Sequence, residues 1–279
     1  MRLRSALSIV MAAAVLSPLP VASAEQTALP FTGLKDPNGV AVAANGDVYV
    51  TDAGHRRVLK LAAGSTSQTV LPFQGLQNLT GIAVDGAGSV YVTYFSDGYP
   101  GAGTVTKLAA GVQTDVPFTD LVDPRAVTVD AAASVYLADR RTHQILKLPA
   151  GSTTQTVLPF EGLEIPQGVA VDRAGNVYAT DTGAHGDRVV MLAAGSASQT
   201  ELPFTGLNQP TAVAVGNDGS IYVSDHNGRR VLKLSTGSTR QTVLPLDGLS
   251  WPEGVAVDGA GSVYVADAMN GRIVKLAAR

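Results

Sequence analysis

Through most of the chain, apolar and polar positions alternate over short runs such as Val48-Tyr49-Val50-Thr51, Val177-Tyr178-Ala179-Thr180 and Val263-Tyr264-Val265-Ala266. Runs this short, rich in Val, Leu, Thr and Tyr and bounded by Gly-containing turns, predict antiparallel strands joined as a meander. After the first 24 residues no stretch holds an apolar period of about 3.6 residues, so an all-β fold is expected.

The alternating run is itself periodic. Its tyrosine returns at Tyr49, Tyr91, Tyr136, Tyr178, Tyr222 and Tyr264, at intervals of 42, 45, 42, 44 and 42 residues. Each copy reads as four segments, a to d, as in Gly168–Val171, Val177–Thr180, Arg188–Leu192 and Thr200–Phe204. Between a and b, Asp85-Gly86-Ala87-Gly88 and Asp172-Arg173-Ala174-Gly175 place Asp first and Gly fourth, which suits a type I turn closed by a left-handed Gly. Between c and d a second turn recurs, as Ala63-Gly64-Ser65-Thr66 and Ala150-Gly151-Ser152-Thr153. A four-stranded sheet has two apolar faces and buries both only against neighbours in a ring, so the period predicts a six-bladed β-propeller with four-stranded antiparallel blades. The chain ends predict how the ring closes. Thr27-Ala28-Leu29-Pro30-Phe31 is a d segment without a preceding a, b and c, and Val274-Lys275-Leu276 is a c segment without a following d. The N-terminal strand is expected to complete the sixth blade.

At Gly254-Val255-Ala256-Val257-Asp258, Val263-Tyr264-Val265-Ala266-Asp267 and Arg272-Ile273-Val274-Lys275-Leu276 the chain resembles NHL repeats, and the likeness extends over residues 25–279. With the recurring GSTTQTVLPF and GL segments it resembles, more narrowly, the extracellular sensor propeller of mycobacterial receptor serine/threonine kinases. A kinase Gly-rich loop, HRD segment and DFG triplet are missing, so the resemblance implies a detached, sensor-like binding domain and no kinase activity. An Asp ending strand b and an Arg opening strand c are typical of these repeats. Asp52 with Arg57, Asp181 with Arg188, Asp225 with Arg230 and Asp267 with Arg272 match that pattern and read as structural ion pairs or loop hydrogen bonds.

Strand polarity puts the d-to-a and b-to-c loops on one face of the ring, and nearly all irregularity in the repeat falls there. At the start of each a strand stands a polar residue that differs from copy to copy: Asn38, Thr80, Arg125, Gln167, Thr211 and Glu253. Blades three and six lie opposite each other in a six-fold ring, so Arg125 and Glu253 are expected to face across the channel mouth as a dipolar pair. The alternative is a solvated channel lining. In blade two Tyr94 replaces the Asp, Thr104 replaces the Arg, and the b-to-c loop gains five residues and carries Phe95 and Tyr99. That loop is either a contact surface or an aromatic cluster over the missing ion pair. In blade three Gln144 replaces the Arg. Trp251, the only tryptophan, is expected to stack on a ligand or to cap the core between blades one and six.

Composition narrows the chemistry. The 279 residues hold 30 Gly, 15 Pro and 15% charged residues at a net charge of −3, with basic residues scattered, so neither nucleic acid nor an anionic membrane surface is an expected partner. No cysteine is present, which excludes disulfides and thiolate chemistry. Residues 1–24 carry Arg2 and Arg4, an apolar run from Ala6 to Leu16 and Ala22-Ser23-Ala24, the form of a secretory signal with its cleavage site. Residues 25–279 then form one secreted or cell-envelope domain, without insertion in a membrane. The four histidines fall in b-to-c loops of different blades, and the axial ring offers one carboxylate, so no catalytic residue, metal or cofactor is expected. The reading is a monomeric, non-catalytic binding module for an extracellular protein, peptide or glycan. A metal-dependent lyase or hydrolase and a structural envelope protein are the alternatives.

Overall fold

The computed structural model describes residues 25–96 and 102–278. The signal segment at 1–24, and with it the predicted domain boundary, lies outside them. The first strand, β1 (Gln26–Ala28), stands apart from the others in sequence. Blade one is β2 to β5 (Pro37–Val42, Val48–Asp52, Arg57–Leu61, Gln68–Val70), and blade two is β6 to β9 (Leu79–Val84, Val90–Phe95, Gly103–Ala109, Val112–Asp115). Blade three is β10 to β13 (Pro124–Val129, Val135–Asp139, Gln144–Leu148, Thr156–Val157), and blade four is β14 to β17 (Ile165–Val171, Val177–Thr182, Arg188–Leu192, Gln199–Glu201). Blade five is β18 to β21 (Pro210–Val215, Ile221–Asp225, Arg230–Leu234, Gln241–Val243). Strands β22 to β24 (Pro252–Val257, Val263–Asp267, Arg272–Leu276) pair with β1 as the fourth strand of blade six. The ring therefore closes as the termini predict, in the register Gln26↔Leu276 and Ala28↔Val274.

Burial follows strand position. The b strands of all blades except blade two are buried at every residue, most c strands are buried except at their first and fourth residues, and d strands lie largely exposed at the rim. Apolar side chains meet in six clusters, each between two adjacent blades, as where Tyr222 and Val231 of blade five pack against Val255, Val263 and Val274 of blade six. At the axis neighbouring a strands run close together. A Cβ on Gly81 would lie 2.8 Å from the Arg125 carbonyl, and one on Gly254 2.8 Å from the Asn38 carbonyl, so a side chain at either position would push the inner strands apart.

The outer strands are shorter than their sequence predicts, because proline interrupts them. The segment expected at Thr200–Phe204 is a strand only over Gln199–Glu201. Leu202 still donates to the Val189 carbonyl at 2.9 Å, but Pro203 has no N–H to continue the ladder. Each outer strand instead carries a clamp that the repeat pattern did not single out. The side-chain amide of Gln68 accepts from the Thr32 N–H and donates to its carbonyl, both at 2.9 Å. Gln113 does this to Gln74, Gln155 to Thr119, Gln199 to Glu161, Gln241 to Thr205 and Gln26 to Asp247. Every blade is thereby tied to the loop that leaves the preceding blade's outer strand.

The a-to-b turns have the expected form. Gly88, Gly175 and Gly261 hold φ between 81° and 90°, and Asp85 Oδ1 accepts from the Ala87 and Ser89 amides. The other carboxylate oxygen takes the phenol of strand b, at 3.0 or 3.1 Å, in Tyr91–Asp85, Tyr136–Asp130, Tyr178–Asp172 and Tyr264–Asp258. In blades two, three and six a lysine from strand c covers that ring, 4.9 Å from its centroid for Lys107 over Tyr91.

Candidate functional site

The a strands begin around a mouth of about 150 Å³ on the d-to-a and b-to-c face, and all six predicted ring residues line it. They are not equivalent. The Thr80 hydroxyl is buried and donates to the Pro124 carbonyl at 2.7 Å, in contact with Thr93 Oγ1 at 2.8 Å. Thr211 donates to the Pro252 carbonyl at 3.1 Å and Asn38 to the Leu79 carbonyl at 3.4 Å. These three bind the backbone of the next blade and hold adjacent a strands in register. Gln167, Arg125 and Glu253 keep polar groups toward the mouth. Deeper in, the channel wall is Val, Ala and Ile from the same strands.

Arg125 sits in a dense polar cluster on the blade-three side. Its Nε lies 2.9 Å from Asp123, and Arg140 of the b-to-c loop binds the same carboxylate through Nη2 at 2.5 Å. Burial is the largest influence on Arg125 and pulls its pKa below the usual guanidinium value. Asp123 opposes this shift, Arg140 adds to it, and Glu253 across the mouth pushes back. Phe95 lies against the guanidinium, with its ring centroid 5.8 Å from Cζ. The blade-two irregularity thus divides in two. Phe95 reaches Arg125, while Tyr94 pairs with Thr104 in the ladder and packs into the core between blades one and two. Tyr99 and the loop tip at 97–101 lie outside the described residues.

Glu253 sits in a second cluster opposite. Its Oε1 lies 2.8 Å from His226 Nδ1, off the line of a well-aligned hydrogen bond. The His226 ring stacks on Trp251, centroid to centroid 5.3 Å with 23° between the planes. Trp251 is 43% exposed, so it does not cap a core between blades one and six: it stands at the rim on a blade-five histidine. Its φ of 55° is shared by Asp36 and Gln209 before the prolines of other a strands, so this backbone belongs to the repeat. Sequence reasoning missed His226, Asp123 and Arg140 because loop residues of neighbouring blades approach each other without a period to announce it.

The Asp and Arg pairs are structural, as the spacing suggests. Asp52 is fully buried; it takes Arg57 Nε at 2.7 Å and the Lys35 amide at 2.7 Å, while Arg57 Nη2 donates to the Gly33 carbonyl. Asp181 with Arg188, Asp225 with Arg230 and Asp267 with Arg272 repeat this, joining strands b and c to the incoming d-to-a loop. In blade three, where Gln144 stands for the Arg, Asp139 accepts from the Val122, Asp123 and Arg141 amides instead. Among the histidines, His55 contacts Asp52, while His143 and His185 both reach Glu164, at its carbonyl and its carboxylate. Among the described residues no three His, Cys, Asp or Glu side chains are placed to share a metal ion.

The NHL repeat family matches at residues 34–61, 207–234 and 249–276, which fall in blades one, five and six. No curated protein matches the chain in sequence. Among solved structures it is similar to a gluconolactonase from Xanthomonas campestris at 16% identity, with a TM-score of 0.74 over 91% of this chain and 89% of that one. It is similar to a chain of the nidogen/laminin complex at 19% identity and a TM-score of 0.70, over 79% and 85%. A streptogramin B lyase aligns at 15% identity and a TM-score of 0.64, over 91% and 98%. At such identities the likeness speaks to the fold alone, and the fold has hosted both enzymes and protein-binding modules. Three of its blades match the NHL repeat, and the chain folds as a six-bladed β-propeller.

Proposed function

We propose that the chain is a secreted, non-catalytic binding module that presents the d-to-a and b-to-c face to an extracellular or cell-envelope protein or peptide. The observation that carries this reading is the dipolar mouth. Arg125 on blade three and Glu253 on blade six are its two charged side chains, set on opposite sides of a small opening. Arg125 pairs with Asp123 and lies against Phe95, while Glu253 lies beside His226, whose ring stacks on Trp251. A rigid ring of opposed charges favours a partner group with a carboxylate toward blade three and an amine toward blade six. The mouth is too small to enclose a drug-sized molecule, for which clefts of about 300 Å³ or more are usual. The inserted group is then the tip of a peptide or protein loop, with Trp251 as an exposed platform beside it. Secretion rests on the signal-like residues 1–24, and a sensor-like role on the sequence resemblance.

Capture from the envelope and secreted fractions with immobilised residues 25–279 tests this, with Arg125→Ala and Glu253→Gln as comparisons. Both variants are expected to keep the wild-type circular dichroism spectrum. Each should lower capture of the same partner at least about tenfold, the size expected for one charge-assisted hydrogen bond in a desolvated site. Equal capture by all three proteins would remove the mouth from the contact surface.

A further inference from the structure

The opposite face, formed by the a-to-b and c-to-d turns, repeats its chemistry more strictly, and blades one and five depart from it, with Ala43 and Gly216 at the first turn position. In blades two, three, four and six the strand-b tyrosine donates its phenol to a turn aspartate. Blade one keeps a carboxylate in the same neighbourhood, since Asp47 is 6% exposed and binds Lys60 at 2.7 Å. Blade five has Gly216 where the aspartate belongs, in Gly216-Asn217-Asp218-Gly219. Its carboxylate comes two residues later, on Asp218, which is 61% exposed and turned to Ser220. Tyr222 is 3% exposed and, among the described residues, its phenol has no hydrogen-bond partner. Lys233 lies 5.2 Å from the centroid of that ring, with Asp218 3.8 Å away, the longest of the lysine–aspartate contacts.

Tyr222 and Lys233 line a cavity of about 590 Å³ between blades five and six, against about 330 Å³ for the groove between blades two and three, where Tyr91 keeps its aspartate. Tyr222, Lys233 and Asp218 stand at one side. Val243, Leu244, Pro245, Val263 and Leu276 provide apolar wall. In blades two, three, four and six a carboxylate satisfies the phenol, and in blade two the same carboxylate, Asp85, also lies 3.6 Å from the lysine.

We infer that this groove is a second binding site, independent of the mouth, for a small amphipathic carboxylic acid. The ligand's carboxylate takes the place of the missing turn aspartate, accepting from the Tyr222 phenol and pairing with Lys233, and its hydrocarbon lies along Val243, Leu244 and Leu276. A charge-assisted hydrogen bond from the Tyr222 phenol supplies head-group selectivity, and the apolar wall supplies affinity.

The test is calorimetric titration of residues 25–279 with octanoate, with octanol and octylamine as matched probes. Octanoate should bind at one site and the other two at least about tenfold more weakly. Two substitutions already occur elsewhere in the ring and so leave the fold intact. Gly216→Asp restores the Asp-first, Gly-fourth turn of blades two, four and six; Gly216 has an ordinary φ, and its added Cβ would lie 2.7 Å from the exposed Asp218 carboxylate and 3.4 Å from Tyr222 Cε2. Lys233→Met copies Met191 of blade four. Each should abolish octanoate binding while the melting temperature without ligand is kept or, for Gly216→Asp, raised. Retained octanoate affinity in Gly216→Asp, or equal affinity for octanol, would overturn the inference. Arg125→Ala should leave octanoate binding unchanged, which separates this site from the mouth.

Discussion

Tyr178 shows how one substitution within a repeat retunes a single group. Burial is the main reason its pKa rises from 10.0 to about 12, and the carboxylate of Asp172 raises it further. Tyr91, Tyr136 and Tyr264 are also raised by burial, but Lys107, Lys147 and Lys275 oppose the shift by favouring phenolate; blade four has Met191 in that position. A phenol whose folded pKa is raised contributes stability in full below pH 10, and the contribution is lost as pH climbs from 10 toward 12. The urea midpoint should therefore fall across that window, and Tyr178→Phe should fall less steeply than wild type. Met191→Lys should move the Tyr178 transition down in an ultraviolet titration; no movement would refute the assignment. The acid side has mixed sign. Asp85 and Asp258 are held below their usual range by hydrogen bonds that outweigh burial, so their contribution is lost as pH falls. Asp181 is pushed up by burial and opposes them. At this scale the sequence was partly legible. The b-to-c spacing identified the aspartate and arginine pairs, because both sit at fixed strand positions. It did not reveal that Thr80, Thr211 and Asn38 turn to the next blade's backbone, since that depends on how closely two a strands approach.

Strands and loops were legible to different degrees for a physical reason. A strand that repeats six times declares its length through alternation, and Arg188–Leu192 falls where the pattern places it. A loop is shaped by contacts with its neighbours, so the His226–Trp251 stack and the Asp123–Arg140 pair left no trace in either loop's own sequence. The chain itself contains controls for element stability. Asp225 is fully buried and binds Arg230 and the Asn208 amide, so Asp225→Ala removes the acceptor of Arg230 Nε and of that amide. Loss of a buried charged partner costs about 3–5 kcal/mol, and urea denaturation should show a loss at the lower end because Arg230 is itself partly exposed. Arg230→Gln should cost less, about 1–2 kcal/mol, since blade three functions with Gln144 there and the aspartate can still accept backbone amides. Equal losses from the two variants would show that the arginine, and not the carboxylate, organises the loop.

At the scale of the whole molecule, stability depends on a short N-terminal segment. In a closed ring every blade has two neighbours, so opening one junction exposes two apolar faces at once, unlike fraying at the end of a solenoid. The junction here is blade six. Strand β1 pairs with β24, Leu29 donates to the Ile273 carbonyl at 2.8 Å, and Leu29 and Phe31 pack against the cluster containing Tyr264 and Ile273. Gln26 adds the same amide clamp, to Asp247, that the other five outer strands make. Gln26→Ala and Gln68→Ala should therefore cost the same, about 1 kcal/mol each, although one lies near the chain's start and the other inside a blade. Deleting residues 25–33 removes the clamp, three ladder positions and two packed side chains together, and should cost at least about 3 kcal/mol by area burial and hydrogen bonding. The melting temperature of the deletion variant measures this, and a synthetic peptide of residues 25–33 added in trans should restore part of it. An unchanged melting temperature would mean that blade six is stable with three strands, and that the ring is held by its inner strands alone.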